Sequence, residues 1–260
     1  MKISVVIPVF NEQESIKELY MQISAALKNQ KKYEIIFIND GSSDKSEKAI
    51  IDLSNEDKRV KLISFYRNFG KSAALSEGFK YASGEIIITM DADLQDDPNE
   101  IPNLINKLDE GYDLVSGWKQ KRYDPWTKTF PSKIFNFVTR VLTGVKIHDF
   151  NCGLKAYRSS VIKSIEVFGG RHRYIPALAG QMNFSVSEIV VNHRPRIYGE
   201  TKYGGSRIFH GFFDLLTILF LNKYTQQPLH FFGSIGLATF IAGFFVELIV
   251  LYYKFVLLEP

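Results

Sequence analysis

The sequence contains one cysteine, Cys152, so an intrachain disulfide is excluded. The N-terminal apolar run ends at Pro8 and is too short for a signal peptide. The sequence has no Gly-x-x-x-x-Gly-Lys-Ser/Thr or Gly-x-Gly-x-x-Gly motif, which argues against P-loop hydrolases and dinucleotide-binding enzymes. His148, His172 and His193 are scattered, so we assign them no function and expect no zinc site. The net charge of +4 is too small to indicate a nucleic acid partner, and none is expected.

Short β-branched runs alternate with segments of helical periodicity in the first half of the chain. The predicted strands are residues 3–8, 34–39, 60–66, 85–90 and 113–116. The predicted helices are residues 12–28, 44–55, 71–82 and 99–110. This alternation predicts an α/β fold with a mostly parallel sheet that is covered on both faces. Ligands of such sheets bind beyond the carboxyl ends of the strands.

Two carboxylates, Asp91 and Asp93, follow the predicted strand at residues 85–90. Side chains alternate along a strand, so the two would point the same way if the extended backbone continues. Their mutual repulsion favours a cation between them, and Mg²⁺ or Mn²⁺ combines carboxylate ligands with diphosphate oxygens. The pattern therefore indicates a nucleotide diphosphate. The alternative is ordinary loop chemistry, with residues 96–98 forming a turn or a helix cap.

Two later segments indicate a membrane. Residues 132–143 predict a basic amphipathic helix of the kind that lies in a membrane interface, although a helix packed on the domain is the alternative. Residues 231–253 carry one charge, Glu247, and as a helix would extend roughly 34 Å, enough to cross a bilayer core of about 30 Å. The alternative to a transmembrane helix is a very apolar buried one. No second apolar run follows, so we expect one span.

Four motifs together carry a family resemblance. They are residues 7–12 (Ile-Pro-Val-Phe-Asn-Glu), 38–44 (Ile-Asn-Asp-Gly-Ser-Ser-Asp), 67–71 (Arg-Asn-Phe-Gly-Lys) and 90–98 (Met-Asp-Ala-Asp-Leu-Gln-Asp-Asp-Pro). They resemble the inverting glycosyltransferases of family two, which have the Rossmann-like GT-A fold. With the segments at 149–155 and 196–203, residues 1 to about 225 are similar to the polyprenyl-phosphate glycosyltransferases, the group that includes dolichyl-phosphate mannose synthase. Relatives in that group often carry two or more spans, unlike this chain.

The resemblance implies a donor site. Residues expected to bind the nucleotide sugar are Pro8, Phe10, Glu12, Asp40, Arg67, Lys71, Asp91, Ala92 and Arg196. Residues expected to hold Mg²⁺ or Mn²⁺ are Asp91, Asp93 and Gln95. Simpler roles remain as alternatives. Asp40 could cap a turn, Glu12 could stabilise a helix dipole, and Arg67 and Lys71 could pair with the acidic loop.

The expected acceptor is a lipid phosphate, which is mostly a dianion at neutral pH and needs little help from a general base. Residues expected to bind this phosphate are Lys119, Lys133, Asn136 and Arg140. Residues assigned to catalysis are Asp93, Asp149 and Lys202. For Asp149 the role of base or orienting group is open, and a turn cap is the alternative.

The expected organisation has three parts. Residues 1–205 form a GT-A catalytic domain that includes the amphipathic helix, residues 206–226 a juxtamembrane amphipathic helix, and residues 229–257 a transmembrane helix. Basic residues before the span, Lys202 and Arg207 among them, favour a catalytic domain facing the cytoplasm at the inner membrane.

The resemblance implies transfer of one sugar, with inversion, from a nucleotide-diphosphate sugar to a polyprenyl phosphate such as undecaprenyl or dolichyl phosphate. UDP-glucose is the favoured donor and GDP-mannose the next. The alternatives are a transferase acting on a glycan or protein, and a non-catalytic nucleotide-sugar-binding scaffold. Whether the chain forms a homo-oligomer is left open.

Overall fold

The computed structural model describes residues 2–121, 126–198, 217, 220 and 227–257, without the side chains of residues 126–131 and 256–257. The chain divides into two compact units, Met1–Asp214 and Leu215–Pro260. The sheet and the candidate site belong to the first unit.

One mixed sheet of seven strands forms the centre of the first unit, in the order β3-β2-β1-β4-β6-β5-β7. The strands are β1 (Ile3–Val9), β2 (Tyr33–Asn39), β3 (Val60–Ser64), β4 (Ile86–Thr89), β5 (Leu114–Trp118), β6 (Lys155–Arg158) and β7 (Val186–Val190). Only β6 among these runs antiparallel to its neighbours, so the predicted mostly parallel sheet is confirmed. The five predicted strands correspond to β1–β5. β6 and β7 are additional, and neither carries an apolar run long enough to predict it.

Helices cover both faces of the sheet. They are α1 (Ile16–Ala26), α2 (Ser46–Glu56), α3 (Lys71–Tyr81), α4 (Ile101–Asp109), α5 (Trp126–Thr143), α6 (Ser159–Ser164) and α7 (Ile175–Gln181). The four predicted helices are confirmed as α1–α4, but α1 begins later than predicted. The backbone N–H groups of Asn11 and Glu12 instead donate to Ser42, in the loop after β2, and to Ser46, the first residue of α2.

The strand alternation separates two packed layers. Ile3, Val5 and Ile7 of β1 belong to a core cluster that also contains the apolar faces of α1 and α4. On the other face α3 approaches very closely, because a Cβ added at Gly78 would lie 2.5 Å from Val6 Cγ1. Glycine at this position lets the α3 backbone pack directly on the sheet.

Strand direction determines which residues meet at one edge. All the strands except β6 run the same way, so the segments that follow them lie at the same end of the sheet. β6 runs the opposite way and therefore brings its first residue, Lys155, to this end. The site is built at this edge.

The predicted amphipathic helix lies within α5, and its apolar face is exposed. About half or more of the side-chain surface is accessible at Ile134, Phe137, Val141 and Leu142. In the second unit, α8 (Pro228–Tyr252) continues into a π-helical turn at Tyr253–Leu257. The helix Pro228–Phe255 is long enough to cross a membrane and contains an 18-residue window with a mean hydropathy of 2.2, which fits the predicted transmembrane helix. Apart from residues 217 and 220, the segment 206–226 lies outside the described residues, and the predicted part boundaries stay predictions.

A buried carboxylate, Glu34, joins several strands at the end of the sheet opposite the site. It accepts hydrogen bonds from Ser4 Oγ at 2.6 Å, from Ser83 Oγ at 2.7 Å and from Lys61 Nζ at 2.6 Å. Burial alone would raise its pKa, but these bonds outweigh burial and lower the pKa from 4.5 to about 2. Since the carboxylate is stabilised in the folded state, its contribution is complete above about pH 4.5 and is lost as the pH falls towards 2.

We therefore expect Glu34→Gln to lower the free energy of unfolding at pH 7 by about 2 kcal/mol. The variant should also lose less stability than the wild type between pH 4.5 and pH 2. Urea denaturation at several pH values measures both effects, with Glu56→Gln on the exposed face of α2 as the control. Parallel pH profiles for the wild type and Glu34→Gln would contradict this account.

Candidate active site

A tightly folded acidic loop, residues 91–97, follows β4. Leu94 is fully buried and has a φ of 60°, a left-handed conformation that a leucine rarely adopts. The backbone N–H of Gln95 donates to Asp93 at 3.2 Å, and that of Asp91 donates to Asp96 at 3.2 Å. The loop thus folds its carboxylates towards its own backbone and concentrates negative charge in a small volume.

Four cations from distant parts of the chain meet these four carboxylates. Lys71 Nζ pairs with Asp91, Arg196 lies 3.5 Å from Asp93, Lys119 lies 2.7 Å from Asp96, and Arg194 lies 2.6 Å from Asp97. They come from the start of α3, the end of β5 and the segment after β7. The structure thus brings the predicted residues Lys71, Asp91, Asp93 and Arg196 together.

Asp91 and Asp93, the two carboxylates among the three predicted metal ligands, differ in electrostatic environment. Burial raises the pKa of Asp93, and the charges of Asp91 and Asp96 raise it further. Burial would also raise the pKa of Asp91, but Lys71, Lys119 and Lys155 outweigh it and lower this pKa. Even with the cations in place, the environment of Asp93 is rich in negative charge. Among the described residues, no group of three or more His, Cys, Asp or Glu side chains is arranged to hold a metal ion.

Arg196 connects the two halves of the predicted donor site. Its guanidinium donates to Glu12 at 2.5 Å, and Glu12 is predicted to contact the nucleoside. The same guanidinium lies 3.5 Å from Asp93. The residues at the end of β1 and those after β4 therefore share one cation.

Asp40, predicted to read the base, lies buried at the end of β2. Its carboxylate accepts the backbone N–H groups of Phe69 at 2.7 Å and Gly70 at 2.9 Å. Burial raises its pKa in spite of these two bonds. In this structure Asp40 thus holds the loop that leads into α3, and its contact with a base stays a prediction.

The other predicted donor-site residues differ in how accessible they are to solvent. Arg67 is exposed and its guanidinium lies 4.7 Å from the ring centre of Phe69. Pro8 and Phe10, at the end of β1, are partly exposed, whereas Ala92 is buried. Lys202 lies outside the described residues.

The structure does not bring the predicted acceptor residues onto one surface. Lys119 is buried in its ion pair with Asp96; burial would lower its pKa, but Asp96 and the other negative groups around it together raise the pKa. Asn136 is buried and accepts the backbone N–H of Phe150 at 3.3 Å, whereas Lys133 is exposed and Arg140 is half-buried. Asp149 is buried as well, and its carboxylate accepts the backbone N–H of Asn151 at 3.0 Å.

Two residues close to this site were not predicted from the sequence. Lys155 lies at the start of β6, and its charge acts on Asp91. His172 lies in the 3-10 segment Arg171–Tyr174, and its Nδ1 lies 2.8 Å from Ser72 Oγ in α3. The run Arg-His-Arg-Tyr directly before α7 was the available signal, but only the fold shows which helix it contacts.

Comparison with known proteins identifies the family. The sequence model described as "Glycosyl transferase family 2" matches residues 4–166, and the chain belongs to this family of glycosyltransferases. A curated relative, "Dodecaprenyl-phosphate galacturonate synthase" of Rhizobium johnstonii, is 39% identical over 261 residues, which cover 98% of this chain and 76% of that protein.

Solved structures support the same fold. Glucosyl-3-phosphoglycerate synthase from Mycobacterium tuberculosis, in complex with Mn²⁺, UDP and phosphoglyceric acid, has a TM-score of 0.67 and 20% identity, with 84% of this chain and 78% of that chain covered. Its complex with Mn²⁺, UDP-glucose and phosphoglyceric acid gives a TM-score of 0.66 and 19% identity, with 84% and 79% covered. These similarities confirm the predicted GT-A fold.

The close contact between Gly41, in the loop after β2, and the backbone of residues 67–68, after β3, can be tested directly. Gly41 has a φ of 66°, and an added Cβ would lie 2.3 Å from the backbone carbonyl carbon of Arg67. We expect Gly41→Ala to displace this loop, to lower the free energy of unfolding by more than about 2 kcal/mol, and to weaken UDP binding. Chemical denaturation and calorimetric titration measure these effects.

Gly111→Ala is the matched control, because Gly111 has a φ of 105° but nothing lies within 4 Å of an added Cβ. It carries backbone strain alone and should leave UDP binding unchanged. If both variants bind UDP as the wild type does, the loop after β2 does not support the nucleotide site.

Proposed function

We propose that this glycosyltransferase moves one sugar from a nucleotide-diphosphate sugar to a polyprenyl phosphate, with inversion at the anomeric carbon, at the cytoplasmic membrane. A phosphate oxygen of the acceptor forms the new bond to the anomeric carbon while the bond to the donor diphosphate breaks. The nucleoside diphosphate leaves with the bonding electron pair. The acceptor is a dianion at neutral pH, so no proton needs to be removed from the attacking oxygen.

The observation that carries this proposal is the meeting of Glu12, Arg196 and Asp93 at one edge of the sheet, with Lys71 and Asp91 in the same loop system. This edge of the sheet holds carboxylates that can bind a divalent cation and basic side chains that can bind phosphates. Arg196 and Lys71 can neutralise the charge that grows on the departing diphosphate. Positioning and electrostatics of this kind can supply most of the rate when the nucleophile is already ionised.

The side chains that would act as metal ligands fit a divalent cation, Mg²⁺ or Mn²⁺. The negative charge around Asp93 is what a hard cation compensates, and such an ion needs only one or two carboxylates when diphosphate oxygens complete its shell. Asp91 and Asp93 would hold it, with Gln95 as a further ligand. When bound, the ion would act as a Lewis acid on the diphosphate. The glucosyl-3-phosphoglycerate synthase complexes with Mn²⁺ and UDP support this assignment.

Several sugars are candidates for the group that is transferred. The sequence resemblance favours UDP-glucose, with GDP-mannose next. The 39% identical relative carries galacturonate in its name, which adds a hexuronate to the candidate donors. The same name supports a polyprenyl phosphate as the acceptor. The exposed apolar face of α5 and the apolar helix Pro228–Phe255 suit an enzyme whose acceptor lies in a membrane.

A transfer assay tests the reaction. The purified full-length chain should move radiolabel from a UDP-sugar into the lipid phase when short polyprenyl phosphate and Mn²⁺ are present. Asp91→Asn should lower the rate by about 100-fold or more, because it removes a charge from the donor site. Asp52→Asn, on the exposed face of α2, is the matched control.

The alternatives give different results in this assay. Label that enters a glycan or protein but never the lipid phase would assign the enzyme to another acceptor. Full function of Asp91→Asn in cells that lack the gene would indicate a nucleotide-sugar-binding scaffold.

Removal of divalent metal provides a separate test. EDTA should reduce transfer to background, and excess Mn²⁺ or Mg²⁺ should restore it, because without the ion the carboxylates of Asp91 and Asp93 would repel the diphosphate. UDP binding followed by calorimetry should weaken in parallel. Undiminished transfer in EDTA would show that Lys71 and Arg196 alone compensate the donor charge.

A further inference from the structure

Lys155 is a buried cation for which the proposed donor site has no use. Its side chain is 3% exposed, and its Nζ donates to the backbone carbonyl of Cys152. None of the ion pairs between described residues includes Lys155, whereas the neighbouring Lys71 and Lys119 each pair with a carboxylate. An ammonium group has three donors, so most of the hydrogen-bonding capacity of Lys155 is unused here.

A buried charge without a counter-charge is costly, and burial lowers the pKa of Lys155. Positive charge from Lys71 adds to this effect, while Asp149 and Asp91 oppose it from a distance. The nearby Asp91 is already paired with Lys71. Lys155 is therefore a buried amine that has no ion-pair partner among the described residues, and an anionic ligand would stabilise its charged form.

His172 lies in the same cluster, and its ring is held in a defined position. Ser72 Oγ lies 2.8 Å from Nδ1 and also accepts the backbone N–H of His172 at 3.2 Å. In the described part of the chain only Nδ1 of this ring has a hydrogen-bond partner, so Nε2 is available to a ligand. The charges acting on the ring are those of Lys71, Arg173, Lys155 and Asp91.

The start of α3 adds to the positive potential. Ser72 is the second residue of this 11-residue helix, so the 3-10 segment of His172 contacts the helix at its N-terminus. The first turn of a helix presents backbone N–H groups and the positive end of the helix dipole. The start of α3 carries Lys71, which pairs with Asp91, and Ser72, which contacts His172, while β6 places Lys155 opposite Thr89, two residues before Asp91.

We propose that Lys155 and His172 form a second oxyanion-binding subsite beside Asp91, separate from the groups that hold the donor diphosphate. This inference depends on the proposed function, which supplies two possible oxyanions. One is the carboxylate of a hexuronate on the donor, and the other is the phosphate of the acceptor. Both present equivalent oxygens that a lysine ammonium and an imidazole N–H can bind together.

Two variants remove the subsite with little change of shape. Lys155→Met keeps an unbranched side chain of similar length without the charge, and His172→Asn keeps a polar group near Ser72 while removing Nε2. Lys163→Met, on the exposed face of α6, controls for the loss of a lysine elsewhere in the same unit. Thermal unfolding of the full-length chain in detergent checks that each variant is folded.

The test is calorimetric binding of four probes in the presence of Mn²⁺: UDP, UDP-glucose, UDP-glucuronate and the short acceptor analogue citronellyl phosphate. We expect both variants to bind UDP within about twofold of the wild type and to bind one oxyanion probe about tenfold more weakly. Selective loss of UDP-glucuronate relative to UDP-glucose identifies the sugar carboxylate. Selective loss of citronellyl phosphate identifies the acceptor phosphate.

Two results would overturn the inference. In one, all four affinities stay within twofold in both variants. In the other, UDP weakens as much as the oxyanion probes, which would make Lys155 and His172 structural supports of the whole site. Because these are binding measurements, they are independent of turnover. A wild-type enzyme that transfers no sugar would count against the proposed function, whereas normal transfer without selective loss would remove only the subsite.

Discussion

Repulsion among the four carboxylates of the loop 91–97 is the constraint on which the site depends. Such a loop is stable only when cations lie close to it, and local sequence supplies none of them. The cations arrive from the start of α3, the end of β5 and the segment after β7. The acidic loop can therefore keep its conformation only when α3, β5 and β7 are all packed in the fold. The ion pairs of the site therefore form only in the folded domain.

The reversed strand β6 explains why the site has positive charge on two sides. Six strands bring the residues that follow them to the active edge, but β6 brings the residue with which it begins. Gly153, just before β6, lies against the acidic loop, since an added Cβ would come 2.6 Å from Asp91 Oδ2. The same reversal that permits this close approach also buries Lys155 next to Asp91.

The sequence was sufficient to predict what depends on local pattern and strand order. The apolar runs of β1–β5, the helices between them and the clustering of Asp91, Asp93 and Lys71 all follow from periodicity and from parallel strands ending at one edge. Pairing across the chain could not be read in this way. Lys119 was expected to bind the acceptor phosphate but pairs with Asp96. Asn136 was expected to bind the same phosphate but is buried and accepts the backbone N–H of Phe150. The position of His172 could not be predicted from the run Arg-His-Arg-Tyr, since its partner Ser72 lies 100 positions earlier in the sequence.

The ion pairs of the acidic loop also indicate how the proposed donor could bind without leaving a buried charge unpaired. Lys71 compensates Asp91, and Arg196 is shared by Glu12 and Asp93. A divalent cation that arrives together with a diphosphate offers each carboxylate a new cation and each basic side chain a new anion. The exchange keeps the local charge nearly constant, and buried groups are then never left without a counter-charge. Lys155 differs from Lys71 and Arg196 in this respect, because it has no carboxylate to exchange. An anionic ligand at the proposed subsite would supply the ion-pair partner that Lys155 lacks.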